Sequence, residues 1–433
     1  MRRWLVGAGR VRSGALLTSV ALAVACGGDA PAPALQLQID TVADTIAVRN
    51  LAGSLVPAGM QLVPEIRIGA LEGPDEEIFG AISGLAVGPE GTIYVYDRQV
   101  PALRAYNAAG EFVRTLGRQG GGPGEYENSD GGMAVLSDGR VVIRDPGNAR
   151  FTVFHPDGTL DTSWPGRGGF FTSAPLSLDD TGLLYSVVIR PYAEGENAPA
   201  GSLWLTRVLQ MEADGTPLDT LSIPFLGYES PSIRASRDGG TSVNAVPFTE
   251  TLSWSIRGDG SFVVGIGNEY VVRVFRPDGS VIRVEKPAER VPVEPGERDD
   301  AEARATHNMR RTDPAWTWNG PPIPAEKPAF HRVLGGDDNR IWVHVPQAAE
   351  TLEVSEDEER RARDANRPPP PRYREPVAFD VFESDGRYLA RVQAPMGFSL
   401  YPAPVFRGDH VWAVVQDELD VSYVVRFRLE PAG

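Results

Sequence analysis

Few side chains in this 433-residue sequence could carry out chemistry, and their types narrow what that chemistry is. Lysine occurs twice, at Lys286 and Lys327; cysteine once, at Cys26; histidine at His155, His307, His331, His344 and His410. Schiff-base or lysine general-base chemistry would have to use one of those two lysines, and neither sits in a local sequence apolar enough to depress its pKa. His331 and His344 are expected on neighbouring strands of one hairpin. No HExxH and no second His/Cys pair accompanies them, so zinc spacing is absent. The D-x-[DN]-x-[DN]-G calcium loop and the G-x-S-x-G nucleophile elbow are absent too. One stretch, GRQGGGPGEY (117–126), invites a phosphate-binding reading. Gly117 and Gly122 have P-loop spacing, but Pro123 and Gly124 stand where lysine and serine or threonine are required, and the phosphate reading fails.

Two groups remain as ligand-binding candidates. Arg118, Glu125 and Tyr126 flank the glycine-rich stretch, either as a polar cluster at a binding mouth or as an ion pair with a packed tyrosine. Arg304, His307, Arg311, Trp316 and Trp318 could form a lid over an anionic or sugar-like ligand, since arginine suits carboxylate or phosphate and tryptophan suits a sugar face. The plainer alternative is an insertion packing its own aromatics over its neighbours. Asp97 and Asp145 each follow a turn glycine by six residues. Aspartates in such places more often accept backbone N–H bonds at a bend.

The elements that must position these residues show as a repeat. GLAVGPEGTIYVYDRQVPALRAYNAAGEFVRTLG (84–117) recurs at 132–160 and at 253–284, each time as four short strands. The turn glycines pair as Gly91 with Gly110, Gly139 with Gly158 and Gly260 with Gly279, 19 residues apart in every copy. Asp-Gly at such turns supplies the positive φ of tight hairpins. Degenerate copies occupy 175–223, 331–392 and 403–430, and the last has three strands. MQLVPEIRIG (60–69) can supply its fourth, which is how a propeller closes its ring and hides its edges. The expectation is an all-β fold: a six-bladed β-propeller of four-stranded antiparallel blades, spanning 59–433 and closed by an N-terminal strand. TIYVYD, FVVGIG and HVWAVV, apolar on both faces, suit sheets packed between two others.

The chain resembles the NHL-like six-bladed β-propeller lipoproteins of bacteria. The resemblance rests on ISGLAVGPEGTIYVYDR (82–98), on the glycine-rich segment after it, and on VFxPDG at 153–158 and 274–279. It covers nearly all of the chain beyond residue 25 and implies a fold and an envelope location, without an activity.

The N-terminus agrees with that location. Arg2, Arg3, Arg10 and Arg12 precede an apolar run from Ala15 to Ala25, the pattern of an export signal over 1–25. Ala23-Val24-Ala25-Cys26 resembles a lipobox, with Ala23 where leucine is usual, and implies lipidation of Cys26. Residues 26–58 then read as a lipidated tether and lead-in. Gly27 and Gly28 after the cysteine favour the outer membrane, with the protein facing the periplasm or the cell surface. A lone cysteine excludes an internal disulfide. The net charge of −16 does not suggest a nucleic-acid binder or an anionic-membrane binder, so the membrane is expected only through the anchor, and the protein is expected as a monomer.

Turns between the first and second and between the third and fourth strands are short throughout. Every long segment, 117–131, 189–203, 222–248, 287–328 and 346–376, falls on the other face. Helices are expected at 296–311, with Ala301, Ala305 and Met309 as an apolar stripe, and at 351–367. Binding residues concentrate in such loops. The first functional reading is therefore a non-enzymatic envelope lipoprotein that binds a protein or glycan partner through the long-loop face, with no cofactor. The alternative is a metal-dependent hydrolase or lyase, lactonase-like or amidating-lyase-like, with a Ca²⁺ or Zn²⁺ ion at the channel mouth.

Overall fold

The turn glycines set the frame. Gly91, Gly110, Gly139, Gly158, Gly260 and Gly279 all have φ between +74° and +87°, the left-handed region that a side chain disfavours. Between them, in a computed structural model that describes residues 35–166, 172, 174–191, 204–225 and 227–432, runs of valine, isoleucine and aromatic residues pair as short antiparallel strands. The export signal, Cys26 and the start of the tether lie outside the described residues, as does most of segment 189–203. Pro33–Gly433 forms one compact unit.

The first four sheets are Ile82–Val87 to Phe112–Leu116, Met133–Val135 to Leu160–Pro165, Ser177–Leu178 to Pro217–Leu221, and Ser253–Ile256 to Val281–Glu285. Blade 5 runs from Arg332–Gly335 to Tyr388–Gln393, and blade 6 has Val405–Arg407, His410–Gln416 and Ser422–Pro431. Its fourth strand is Met60–Ile68, antiparallel to Ser422–Pro431 with Met60 opposite Pro431. The ring closes as the sequence predicts.

Alternation along each strand builds the core. In the innermost strand of blade 1, Leu85 and Val87 pack toward blade 6 while Ala86 packs toward blade 2. Within the ring, buried residues among those described divide into six apolar clusters, one between each pair of neighbouring blades. Each fully buried valine, leucine or phenylalanine contributes about 1.5–3 kcal/mol there. The fold is thus a six-bladed β-propeller, all-β apart from two helices.

Two additions were not legible in the sequence. Gln36–Val42 and Thr45–Ala52, within the lead-in, form a hairpin whose second strand runs parallel to Val281–Glu285, widening blade 4 to six strands. Buried Asn50 fixes it to blade 5, accepting from Tyr388 N–H at 2.8 Å and donating to Gly386 O at 3.0 Å. Ser232–Arg237 and Gly240–Ala245 form a second hairpin, within segment 222–248. Helix α1 (Pro295–Arg310) matches its prediction closely. Helix α2 (Glu356–Asp364) is shorter than expected. The capping box of Ser355 with Glu358 starts it late, and Thr351, expected at the start of the helix, instead pairs with Tyr373.

Candidate functional site

The glycine-rich loop is stitched to the body of the propeller. Arg118–Gln119 pairs in parallel with Glu125–Tyr126, and the Arg118 guanidinium meets the Glu125 carboxylate at 2.7 Å. Glu125 also accepts the Gly122 N–H at 2.7 Å, and that bond first, then Arg118, holds its carboxyl below the usual range. Arg150 and Asn148 of blade 2 donate to the loop carbonyls of Gly122 and Gly120. Tyr126 is fully buried, edge-on to Tyr96 at 5.6 Å. Its hydroxyl accepts the Leu103 N–H at 2.9 Å and donates to Leu116 O at 3.0 Å. Burial pushes this phenol up to about 12. Asp97 and Asp145 do what bend aspartates do. The first accepts the N–H groups of Gly80, Ala81 and Gln99, and the second those of Glu127 and Asn128.

The second candidate group sits on a separate platform. Ala305 and Met309 of α1 pack with Trp316 against Ile233, Ala235 and Val246, a small core outside the ring. The indole N–H of Trp316 donates to Arg234 O at 2.8 Å, and that of Trp318 to Gly320 O and Pro321 O. The two rings meet edge to face, centroids 6.1 Å apart. Asn319 brackets Arg234, its amide donating to Arg234 O at 2.7 Å and accepting the Arg234 N–H at 3.2 Å. Along the outer edge of Gly240–Ala245 no backbone partner is present among the described residues. His307 is half-buried with its Nε2 unpartnered, Arg304 is half-buried and Arg311 exposed, and neither arginine has an ion-pair partner among the described residues. No hydrogen bond, ion pair or ring contact among the described residues joins this group to Arg118, Glu125 and Tyr126.

Two buried charge clusters lie nearby, one joining the platform helix α1 to blade 5 and one joining blades 4 and 5. Lys327 is fully buried, with Glu297 of α1 against its ammonium. Its ammonium donates to Glu375 at 2.8 Å and Gln347 O at 2.8 Å, and forms an ion pair with Glu297 of α1 at 2.7 Å. His331 Nε2 lies 2.8 Å from the other Glu375 oxygen. Burial alone would raise the Glu375 carboxyl, but the hydrogen bonds from His331 and Lys327 outweigh it and bring it to about 2. His344 lies against the His331 ring at 4.9 Å, and burial first, then that neighbour, lowers it to about 3. Held between these oxygens, Lys327 joins α1 to blade 5.

The other cluster centres on Asp380, fully buried in blade 5. It accepts from Tyr270 at 2.8 Å, Tyr388 at 2.9 Å, Lys286 at 3.1 Å and Arg391 at 2.9 Å. Burial would raise its carboxyl, yet Arg391 and Lys286 hold it below the usual range. Among the described residues, no three His, Cys, Asp or Glu side chains converge as a metal site. Lys286 thus serves the contact between blades 4 and 5, and Lys327 that between α1 and blade 5.

Comparison with known proteins returns folds of this kind. A DUF4221-family protein of Bacteroides vulgatus is 9% identical over 87% of this chain and 99% of its own, with a TM-score of 0.49. Virginiamycin B lyase of Staphylococcus aureus is 9% identical over 80% and 94%, with a TM-score of 0.38. A Xanthomonas campestris gluconolactonase is 12% identical over 84% and 98%, with a TM-score of 0.38. No protein-family model matches the chain, and no curated protein does.

Proposed function

We propose that this protein is a lipoprotein of the NHL-like propeller group, anchored in the bacterial envelope, that works by binding another envelope protein through its long-loop face. One observation carries the reading. The hairpin Ser232–Arg237/Gly240–Ala245 stands on that face with its own core, braced by α1, and leaves the edge of Gly240–Ala245 unpaired. A strand edge held in place but unpaired is a template for strand addition, in which backbone bonds give affinity and alternate side chains give specificity. Val243, 49% exposed, lies in that strand. A protein segment fits better than a glycan, because the Trp316 face is buried in the platform core and the polar edges of both tryptophans are already bonded. The anchor at Cys26, and an outer-membrane destination read from Gly27 and Gly28, belong to the same proposal.

The test is site-specific photo-cross-linking in cells. A benzoylphenylalanine at Val243 is expected to give a discrete protein adduct, and one at Pro89, in a short turn on the opposite face, none. Adducts from Pro89 alone, or none from Val243, would overturn the reading.

A further inference from the structure

A cavity of about 560 Å³ lies on the propeller axis, away from the insertions. First strands of all six blades wall it, and it ends among the short turns at Pro89, Ser137, Asp180, Gly258, Asp337 and Arg407. Its volume falls within the roughly 300–1,000 Å³ of small-molecule sites. Its walls are apolar and polar in about equal parts, with Leu85, Met133, Leu178, Ile256 and Val405 supplying much of the apolar part.

The mouth is belted by bonds between blades. Asp180 N–H donates to Gly258 O at 2.6 Å, Gly258 N–H to Gly336 O at 3.3 Å, and Asp337 N–H to Phe406 O at 2.9 Å. The Arg407 guanidinium then reaches Gly88 O at 2.8 Å and Val87 O at 3.0 Å in blade 1. Gly258 is required for this approach, since a Cβ there would lie 2.4 Å from Asp337 O. A mouth held this way is formed before any ligand arrives, so little ordering cost opposes binding.

Its charge is one-sided. Arg407 is the one cation among the described lining residues, and it is committed to Asp337 at 2.8 Å. Asp179 accepts from Thr181, Leu183 and the Tyr185 hydroxyl. Asp180, beside it, is exposed and has no ion-pair or side-chain hydrogen-bond partner among the described residues. We propose that this mouth binds a small cationic amphiphile, with an organic ammonium at Asp180 and an apolar body in the well below. An anion would meet two carboxylates and no free cation. This site is independent of the partner-binding face, and its failure would leave that reading standing.

The test uses three probes of one shape: 4-phenylbutylammonium, 4-phenylbutanol and 4-phenylbutyrate, titrated calorimetrically at low salt into the chain from Pro33 onward. The ammonium is expected to bind about tenfold more tightly than the alcohol, with the carboxylate weakest. Asp180→Asn, at an exposed position, is expected to erase the difference between ammonium and alcohol. Ala403→Trp, which fills the well, is expected to remove binding of all three. No binding of the ammonium, equal affinity for all three probes, or an unchanged preference in Asp180→Asn would overturn the proposal. The Asp180→Asn comparison decides it even where the tryptophan variant does not fold.

Discussion

The Asp380 cluster predicts an asymmetry between two substitutions in one network. The carboxylate is fully buried and faces two cations, Lys286 and Arg391, whose side chains are 18% and 39% exposed. Asp380→Asn keeps the shape but leaves two positive charges against a neutral amide. Breaking a buried pair by removing one partner costs about 3–5 kcal/mol, and the partial exposure of Arg391 places this case near 3. Lys286→Met removes the other sign of charge and leaves Asp380 balanced by Arg391. It forfeits one hydrogen bond and the contact of the ammonium with the Tyr388 ring at 4.6 Å, but it also ends the desolvation of that ammonium. Its cost should be about 1 kcal/mol. With a urea slope of about 3 kcal/mol/M, the midpoints should fall by about 1 M and about 0.3 M. The pH dependence adds a second check. A carboxyl held below its ordinary value stabilises the fold above the unfolded pKa of about 3.9 and loses that contribution as pH falls through the folded value. Native protein and Asp380→Asn should therefore converge in stability on acidification. Equal costs for the two substitutions, or a constant gap at all pH values, would refute the charge-balance argument.

Other outcomes follow from the same geometry. Tyr126→Phe strands the buried Leu103 N–H and should cost about 1–3 kcal/mol in urea denaturation, whereas Arg118→Ala, at an exposed pair, should cost under about 1. His344 holds its proton only to about pH 3, while an unfolded histidine takes one up near 6.5, so acidification across that window should drain stability. His344→Phe should flatten that slope in a series of thermal melts. Cys26→Ser should move the protein from the membrane fraction to the soluble fraction on immunoblots of fractionated cells. Deleting residues up to Gly69 takes away the strand that closes blade 6 and should yield aggregated protein by size-exclusion chromatography, whereas a chain beginning at Pro33 should elute as a monomer.

The ring was legible because its signals are local. Each blade carries its own turn glycines and alternating apolar residues, and the unpaired last copy called for Met60–Ile68. The glycine loop was legible for a similar reason, since Arg118, Glu125 and Tyr126 lie within ten residues and pair among themselves. The Ser232–Ala245 hairpin had a signal, an Asp-Gly-Gly turn, but Ile233, Ala235 and Val246 face only a small core, too few residues to show a period. What stayed hidden depends on distant partners. Lys327 sits among alanine and prolines, and nothing in that stretch shows that Glu297, 30 residues earlier, meets its ammonium. The axial cavity is lined by leucine, valine and methionine that read as ordinary core in any strand, and only ring closure leaves their inner ends facing space.

The order of the strands in blade 6 also constrains when folding can finish. Its outer strand, Met60–Ile68, precedes blades 1 to 5 in the sequence, and its pairing partner, Ser422–Pro431, follows them. Until Ser422–Pro431 is available, blades 1 to 5 can form, yet Met60–Ile68 lacks its partner and the circle stays open. Pairing across more than 350 residues gives the native state a late, all-or-none closing step, with a correspondingly slow approach and an open-ring species whose exposed edges invite other chains. A nascent chain of this protein therefore carries the latch of its ring through the making of five blades before the catch emerges.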